Sequence, residues 1–224
     1  MPNHVTHRIR VPAHCAETFK KYLTSWERGD RSEVNLDANK INPMPLILEG
    51  TEEGSASFVA EQLIRKNIHP VLDKTAPCVY SCDVDIIYPS STVRVNEKQY
   101  TALMHIIEAH KQTGFMTWYE WQRANWGTEW GFYNTFIERD DENGLELTVQ
   151  TAWSVPTGLF SRLAELEPSL EFQGEVFDEG WCFAGELYLS AGIFEFVETN
   201  ATDEMYERVY GEPPEKDEVE DDEC

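Results

Sequence analysis

Tryptophan and polar side chains are concentrated in a few short stretches that could line a binding pocket. Such rings could stack a nucleobase or grip a peptide, with the polar groups supplying hydrogen bonds. The candidate binding residues are Trp118, Glu120, Trp121, Asn125, Trp126, Trp130, Trp153 and Glu179. The same tryptophans could instead form a small core where a helix packs on a hairpin, because tryptophan is highly buried on average. We favour the core, and the pocket stays an alternative.

Covalent, metal and phosphate chemistry each require a residue pattern that this chain lacks. Ser154 has no G-x-S-x-G frame and is expected to cap a helix. His4 and His7 would point to opposite faces of a strand, and the five cysteines include no CxxC pair. The glycines at 50 and 54 are not followed by Lys-Ser/Thr. We predict no catalytic residue, no metal and no cofactor, and leave enzymatic activity open.

The charge balance disfavours direct binding to nucleic acid. The 224 residues include 41 Asp and Glu against 18 Lys and Arg, a net charge of −23. Such a chain repels phosphate unless its cations are segregated, and the conspicuous basic group is Arg8, Arg10, Lys20 and Lys21.

The acidic C-terminal block explains only part of this charge. Residues 212–224 carry a net −7, which leaves −16 on the rest. The block is either a solvated terminus or an interaction tail. Its candidate partner contacts are Glu215, Asp217, Glu218, Glu220, Asp221, Asp222 and Glu223.

Hydrophobic periodicity predicts the elements that position these residues. Alternation of apolar and polar side chains over 5–11 indicates a strand with one wet face. After Pro12, apolar residues at helical spacing predict a helix that ends near Gly29 and has Phe19, Tyr22, Leu23 and Trp26 on one face, and residues 30–56 are expected to form a loop. Further helices are expected at 58–66, at 95–111 and from Thr117, whose spacing to Glu120 is that of a capping box, and a strand is expected at 84–88.

Two hairpins follow in the predicted order. Strands at 129–138 and 145–153 flank an Asn-Gly turn, strands at 172–177 and 181–189 flank Asp-Glu-Gly, and a helix from Pro156 separates the pairs. This order predicts the α+β class, an antiparallel sheet with helices packed on one face plus a largely helical or loop insert. We expect a single domain over 1–200 with an insert at about 30–95, and an acidic tail over 201–224. No apolar run reaches 18 residues, so we expect no membrane segment and a cytoplasmic location.

Five motifs spread over residues 1–190 carry a resemblance to a known family. They are Met1-Pro2-Asn3, Asn42-Pro43-Met44-Pro45, Trp118-Tyr119-Glu120-Trp121 leading into Asn125-Trp126-Gly127-Thr128-Glu129-Trp130, Thr151-Ala152-Trp153-Ser154-Val155-Pro156, and Glu179-Gly180-Trp181 with Phe183-Ala184-Gly185. With them the chain resembles the YubB-type ferredoxin-like domain family of phage and plasmid proteins. The resemblance implies a ferredoxin-like sheet without an iron–sulfur cluster and an origin on a mobile genetic element. It implies no activity, and Glu129 stands where the family usually has Lys.

Charge and context together favour a binding protein. We expect a non-enzymatic acidic accessory protein that binds a host protein, with counter-defence inhibition by mimicry of nucleic-acid charge as its mode of action. A nucleic-acid-binding defence enzyme is the expected partner, reached by electrostatic attraction that falls with salt. The alternatives are binding of nucleic acid or a nucleotide through the tryptophan region, and an enzyme that acts on a nucleotide.

Overall fold

The computed structural model describes residues 3–28, 31–80 and 92–215. The chain divides into two compact units: the first comprises Met1–Asn42 and Trp126–Cys224, and the second comprises Pro43–Asn125. The strands are β1 His4–Pro12, β2 Leu23–Arg28, β3 Arg31–Leu36, β4 His69–Leu72, β5 Thr92–Val95, β6 Glu129–Asp141, β7 Gly144–Ala152, β8 Phe172–Asp178, β9 Ala184–Ser190 and β10 Ile193–Thr199. The helices are α1 Ala13–Lys20, α2 Ala38–Ile41, α3 Ser55–Lys66, α4 Glu97–Thr113, α5 Trp118–Asn125, α6 Thr157–Leu166 and α7 Asp203–Tyr210, with a 3-10 turn at Leu46–Leu48. The strand predicted at 84–88 lies outside the described residues.

A six-stranded antiparallel sheet forms the centre of the first unit. Its strand order is β10-β9-β8-β1-β7-β6, so the predicted α+β class with an antiparallel sheet is confirmed. The central strand β1 pairs with β7 on one side and β8 on the other. Its predicted alternation is confirmed for Val5, Ile9 and Val11, which are buried, and for Arg8 and Arg10, which lie partly exposed on the other face. Thr6, predicted to lie on the wet face, is buried.

One face of this sheet is covered by α1 and α6. The fully buried ring of Phe160 in α6 lies 5.1–5.6 Å, centroid to centroid, from the rings of Phe132, Phe172 and Phe194. Burial of one such side chain contributes about 1.5–3 kcal/mol. Because the apolar residues of β1, β7 and β8 face these helices, the residues that alternate with them point to the opposite face of the sheet.

The opposite face carries α7, which corrects the expectation that helices cover one face only. Tyr206 and Tyr210 of this helix lie 5.4 and 6.1 Å from the ring of Phe177 in β8. Met205 and Val209 are buried beneath them. The segment 203–210, which we expected to belong to the acidic tail, is thus a packed helix.

The helix predicted between Pro12 and Gly29 is confirmed in its first part and wrong in its second part. Helix α1 ends at Lys20, and Trp26 lies in β2, which pairs antiparallel with β3. Four residues at helical spacing also fit a helix end followed by a strand, and pairing with β3 decides in favour of the strand. The predicted loop at 30–56 contains β3, α2 and the 3-10 turn.

The first of the predicted hairpins is confirmed and the second is shifted. The Asn-Gly turn joins β6 and β7 as predicted, whereas β9 begins at Ala184 and not at Trp181. The sequence analysis missed β10, which pairs with β9 across Ala191-Gly192, two residues with φ of +50° and +75°. Alanine is uncommon at positive φ, so this turn carries no strong signal.

The second unit packs α3 against α4. Val59, Leu63 and Leu103 are fully buried between them, and the short strands β4 and β5 pair in parallel. The predicted helices at 58–66 and 95–111 are confirmed as α3 and α4. The unit extends over Pro43–Asn125, whereas we expected an insert at about 30–95.

Candidate functional site

The eight candidate binding residues are divided between the two units. Those of the second unit are Trp118, Glu120, Trp121 and Asn125, all on α5. Those of the first unit are Trp126, Trp130, Trp153 and Glu179. We therefore describe the two groups separately.

The α5 group makes contacts typical of a capped helix. Thr117 Oγ1 accepts the backbone N–H of Glu120 at 3.2 Å, and the Glu120 carboxylate accepts the N–H of Met116 at 2.8 Å. This is the predicted capping box, with its carboxylate reaching one residue further back. Asn125 donates to the carbonyl of Trp121, and the Trp121 ring is buried. Glu120 and Asn125 thus stabilise the helix ends.

The Asn-Trp-Gly-Thr and Thr-Ala-Trp-Ser motifs interlock within the first unit. Ser154 Oγ donates to the carbonyl of Gly127 at 2.7 Å, and Thr128 Oγ1 donates to the carbonyl of Ala152 at 2.9 Å. Ser154 was expected to cap a helix, but Pro156 occupies the N-cap position of α6. The two motifs therefore join the start of β6 to the end of β7.

This junction directs two tryptophans outward. Trp130 and Trp153 are 49% and 45% exposed, and their ring centroids lie 5.2 Å apart with the planes tilted by 52°. Both have left-handed backbones, with φ of +63° and +59°. A bulky residue at positive φ is uncommon and costs free energy, so the surrounding structure holds these rings at the surface.

An aromatic cavity of about 280 Å³ lies beside Trp130. Its aromatic lining consists of Trp26, Trp126, Trp130 and Phe132. Its polar lining consists of Thr24, Asn35, Asp37 and Asn39, contributed by β2, β3 and α2. The sequence analysis missed this site because Trp26 was assigned to a helix; the spacing of two residues between Thr24 and Trp26, which puts both on one face of a strand, was the available signal.

An apolar groove of about 920 Å³ shares Trp26 and Asn35 with the aromatic cavity. It runs between the β2–β3 hairpin and β6, and its exposed apolar residues include Phe136 and Ile137. Asn35 fixes this junction, donating to the carbonyl of Phe132 at 2.7 Å and accepting the hydroxyl of Thr135 at 2.7 Å.

Glu179 belongs to a hydrogen-bonded group at the start of β1. Its carboxylate accepts the backbone N–H of His4 at 2.7 Å, and the His4 ring contacts the Tyr133 hydroxyl at 2.9 Å. Burial, and then the charge of Glu179, raise the pKa of Tyr133 to about 12. Tyr133 is therefore protonated at neutral pH, and this group ties β1 to β6 and β8.

The cations on the outer face of β1 are engaged by buried carboxylates. Arg8 Nε lies 2.8 Å from Glu146 Oε1, and Arg10 pairs with both Glu146 and Glu175. Arg208 of α7 lies 2.9 Å from Glu175 and 2.8 Å from Glu186. Burial acts to raise the pKa of Glu146, but the bond from Arg8 and the neighbouring guanidinium charges outweigh it, and the pKa is lowered overall.

Exposed carboxylates collect along β10, α7 and the residues after α7. We call these residues the acidic surface: Glu195, Asp203, Glu204, Glu207, Glu212 and Glu215. Glu195 lies on the same face of the sheet as α7, because Val197, two residues further along β10, pairs with Glu186 of β9, which binds Arg208 of α7. Of the candidate tail contacts, Glu215 is exposed. The others, Asp217, Glu218, Glu220, Asp221, Asp222 and Glu223, lie outside the described residues.

The comparisons with known proteins yield one structural neighbour. The chain is similar to the crystal structure of a protein api92 from Yersinia pseudotuberculosis, described as DUF1281. The identity is 10%, the TM-score is 0.43, and the match covers 90% of this chain and 99% of that one. No family model and no curated protein matches the chain.

The described residues contain neither a metal-binding cluster nor a membrane-spanning helix. Within residues 3–28, 31–80 and 92–215, no group of three or more His, Cys, Asp or Glu is placed to hold a metal ion. In the same part of the chain, no helix is both long and apolar enough to cross a bilayer.

Proposed function

We propose that the protein is a non-enzymatic binder whose acidic surface occupies the basic, nucleic-acid-binding surface of a host protein. The observation that carries this proposal is the contrast between paired cations and exposed carboxylates in the first unit. Six of its cationic side chains form ion pairs within the molecule: Arg8, Arg10, Lys20, Arg139, Arg162 and Arg208.

This contrast also weighs against the alternative of direct nucleic-acid binding. Arg8 and Arg10 formed the main part of the basic group in the sequence. Both now face Glu146 and Glu175, so an approaching phosphate would have to compete with buried carboxylates. The neutralised outer face of β1 offers little gain from counterion release.

The acidic surface has the composition of a protein interface. Ile193 and Val197 are 69% and 42% exposed on β10, and Tyr188 is exposed on β9 beside them. An apolar centre surrounded by charged residues is the usual anatomy of a specific interface. The apolar residues would supply affinity, and the carboxylates would supply selection for a basic partner and fast association.

The proposal includes a ferredoxin-like core, to which further elements add the acidic surface. Strands β8-β1-β7-β6, with α1 after β1 and α6 after β7, have the order expected of the ferredoxin-like arrangement. Strands β9 and β10 and helix α7 extend this core and carry the acidic surface. We extend the proposal to an origin on a phage or plasmid, a cytoplasmic location in the host, and inhibition of a defence enzyme, on the basis of the motif resemblance.

Affinity capture from a lysate of the natural host tests the proposal. The tagged protein is used at about 50 mM and about 300 mM salt, where screening differs strongly, with and without duplex DNA as competitor. We expect one stoichiometric nucleic-acid-binding protein that is released by the higher salt and by the DNA. Recovery of only abundant proteins at both salt concentrations would contradict the proposal.

Matched variants show whether the acidic surface is responsible. Glu195→Gln with Glu204→Gln removes two charges from it, and Glu52→Gln with Glu142→Gln removes two exposed charges elsewhere. We expect the first pair to weaken capture at least about fivefold and the second pair to leave it nearly unchanged. Equal effects would show that net charge alone governs binding.

A further inference from the structure

The aromatic cavity has the chemistry of a cation-binding site. Trp26 and Trp130 line it with rings that are 43% and 49% exposed, and Trp126 is buried at its edge. The indole N–H of Trp126 donates to the carbonyl of Asn42 at 2.8 Å, which fixes that ring. The face of an indole carries negative potential and attracts a cation placed over it.

A single carboxylate completes the lining. Asp37 is the one charged residue among those that line the cavity in the described part of the chain. Its two oxygens accept the Thr24 hydroxyl at 2.8 Å and the N–H of Asn39 at 2.9 Å, so its position is fixed. Three indoles and one anchored carboxylate favour a positive group over a neutral or negative one.

The volume of the cavity suits the charged end of a side chain better than a whole ligand. At about 280 Å³ it falls just below the range that holds drug-sized ligands. A planar guanidinium can stack on indole and donate to a carboxylate at the same time. The adjoining apolar groove of about 920 Å³ offers room for the chain that carries this group.

We propose that the aromatic cavity binds an arginine side chain of a protein partner, with the guanidinium held by Trp26, Trp130 and Asp37. The source of the arginine rests on the proposed function, because a basic host surface supplies such side chains. The cavity itself is separate from the acidic surface on β10 and α7. It would add a specific contact to an attraction that is otherwise long-ranged.

Titration with small probes tests the cavity without any partner. The intact protein is titrated with N-acetyl-arginine amide, its neutral isostere N-acetyl-citrulline amide, and N-acetyl-lysine amide, with indole NMR signals as readout. We expect the arginine probe to bind with a Kd on the order of millimolar, as a single cation–π site with one carboxylate allows. Citrulline should bind at least about tenfold more weakly, and lysine should bind more weakly than arginine.

Three variants assign the binding to the cavity. Asp37→Asn retains a good N-cap residue while removing the charge, and Trp26→Leu removes one exposed ring. Each should weaken the arginine probe at least about threefold. Trp181→Leu is the matched control, because Trp181 is 43% exposed and does not line the cavity, and it should leave the affinity unchanged.

Several outcomes would overturn the cavity proposal. They are equal binding of arginine and citrulline, equal binding of arginine and lysine, or an arginine affinity that survives both Asp37→Asn and Trp26→Leu. Failure of the host-protein proposal is distinguishable, because it would show in the capture experiment while the probe titration still succeeded.

Discussion

His7 is a buried histidine whose surroundings disfavour its charged form. His7 is fully buried in the sheet core beside Phe160, and its Nε2 has no hydrogen-bond partner among the described residues. Its Nδ1 lies 3.2 Å from the carbonyl of Val149. Burial lowers the pKa of His7 from 6.5 to about 4, against the smaller raising effects of backbone bonds to Val149 and Val5.

This shift predicts an acid-sensitive stability. The unfolded chain takes up the proton near pH 6.5, whereas the folded chain resists until about pH 4. Above pH 6.5 the protonation of His7 takes nothing from the free energy of unfolding. As the pH falls from 6.5 to about 4, it lowers that free energy by about 3 kcal/mol in total. Between pH 7 and pH 4.5, the free energy of unfolding measured in urea should decrease less for His7→Leu than for the natural protein.

The exposed imidazole of His14 supplies the control for this measurement. His14→Gln should show the same decrease in the free energy of unfolding as the natural protein, because the His14 side chain is exposed. If the free energy of unfolding decreased equally in His7→Leu and in the natural protein, carboxylates would account for the whole decrease.

Gly127 is the residue on which the junction of the two tryptophan motifs depends. It has φ of +81°, and a Cβ placed there would lie 2.9 Å from Thr157 Oγ1 and 3.0 Å from Thr157 N. We expect Gly127→Ala to lower the free energy of unfolding by about 2–3 kcal/mol through strain and steric overlap. Gly211 also has φ of +81° but its nearest neighbour is Arg8 Nη1 at 3.5 Å.

Comparison of these two glycines separates the cost of steric overlap with Thr157 from the cost of a left-handed backbone. Gly211→Ala should cost about 1 kcal/mol, the effect of the backbone conformation alone. Thermal unfolding of both variants provides the test. Equal losses would mean that the packing at Gly127 relaxes without cost.

At the scale of elements, α7 is a packed helix within a segment that composition assigned to the acidic tail. Thr202 caps its start by accepting the N–H of Met205 at 3.2 Å, and Gly211 ends it in the left-handed conformation. Only Met205 and Val209 of its eight residues are buried. Its side chains Met205, Tyr206, Val209 and Tyr210 nevertheless repeat at helical spacing, so the helix was missed because the segment was grouped with the acidic tail.

We expect the contact of α7 with the sheet to be a substantial source of stability. Met205→Ala should lower the free energy of unfolding by about 2–3 kcal/mol, since it leaves a cavity against Phe177. Glu204→Ala, on the exposed side of the same helix, should change it by less than about 0.5 kcal/mol. Urea unfolding measures both losses, and Trp181, which stacks on Tyr206 at 5.7 Å, contributes to the tryptophan fluorescence signal. Similar losses in both variants would argue that α7 is only loosely attached.

At the scale of the molecule, the charge is distributed very unevenly along the chain. Residues 126–224 contain 26 Asp and Glu against four Lys and Arg, whereas residues 1–125 contain 15 against 14. The four cations of the acidic half include Arg139 and Arg208, which lie in ion pairs. Half of the chain therefore carries almost the whole field that would steer a basic partner.

Removal of the terminal block should slow association more than it weakens the bound complex. A chain ending at Gly211 loses a net charge of −7. At about 50 mM salt we expect its association rate with the captured host protein to fall about two- to tenfold, and at about 300 mM salt the difference should vanish. Association kinetics at the two salt concentrations measure this. A faster dissociation at both would instead identify residues 212–224 as direct contacts.

Local patterns in the sequence were sufficient for much of the fold. Alternation over 5–11, the Asn-Gly turn and the Thr117–Glu120 spacing each depend on contacts between near neighbours, and β1, the β6–β7 hairpin and α5 follow them. The antiparallel α+β class followed from the order of these elements. Overall acidity was likewise fixed by composition.

The tertiary structure alone decided which side chains meet. Arg8 and Arg10 looked like a basic patch until β7 and β8, more than a hundred residues away, placed Glu146 and Glu175 against them. Trp26 joined Trp126 and Trp130 only because β2 is a strand, and the tryptophans of α5 belong to the second unit. Contacts of this kind depend on strand order and on packing between distant segments, and no local pattern encodes them.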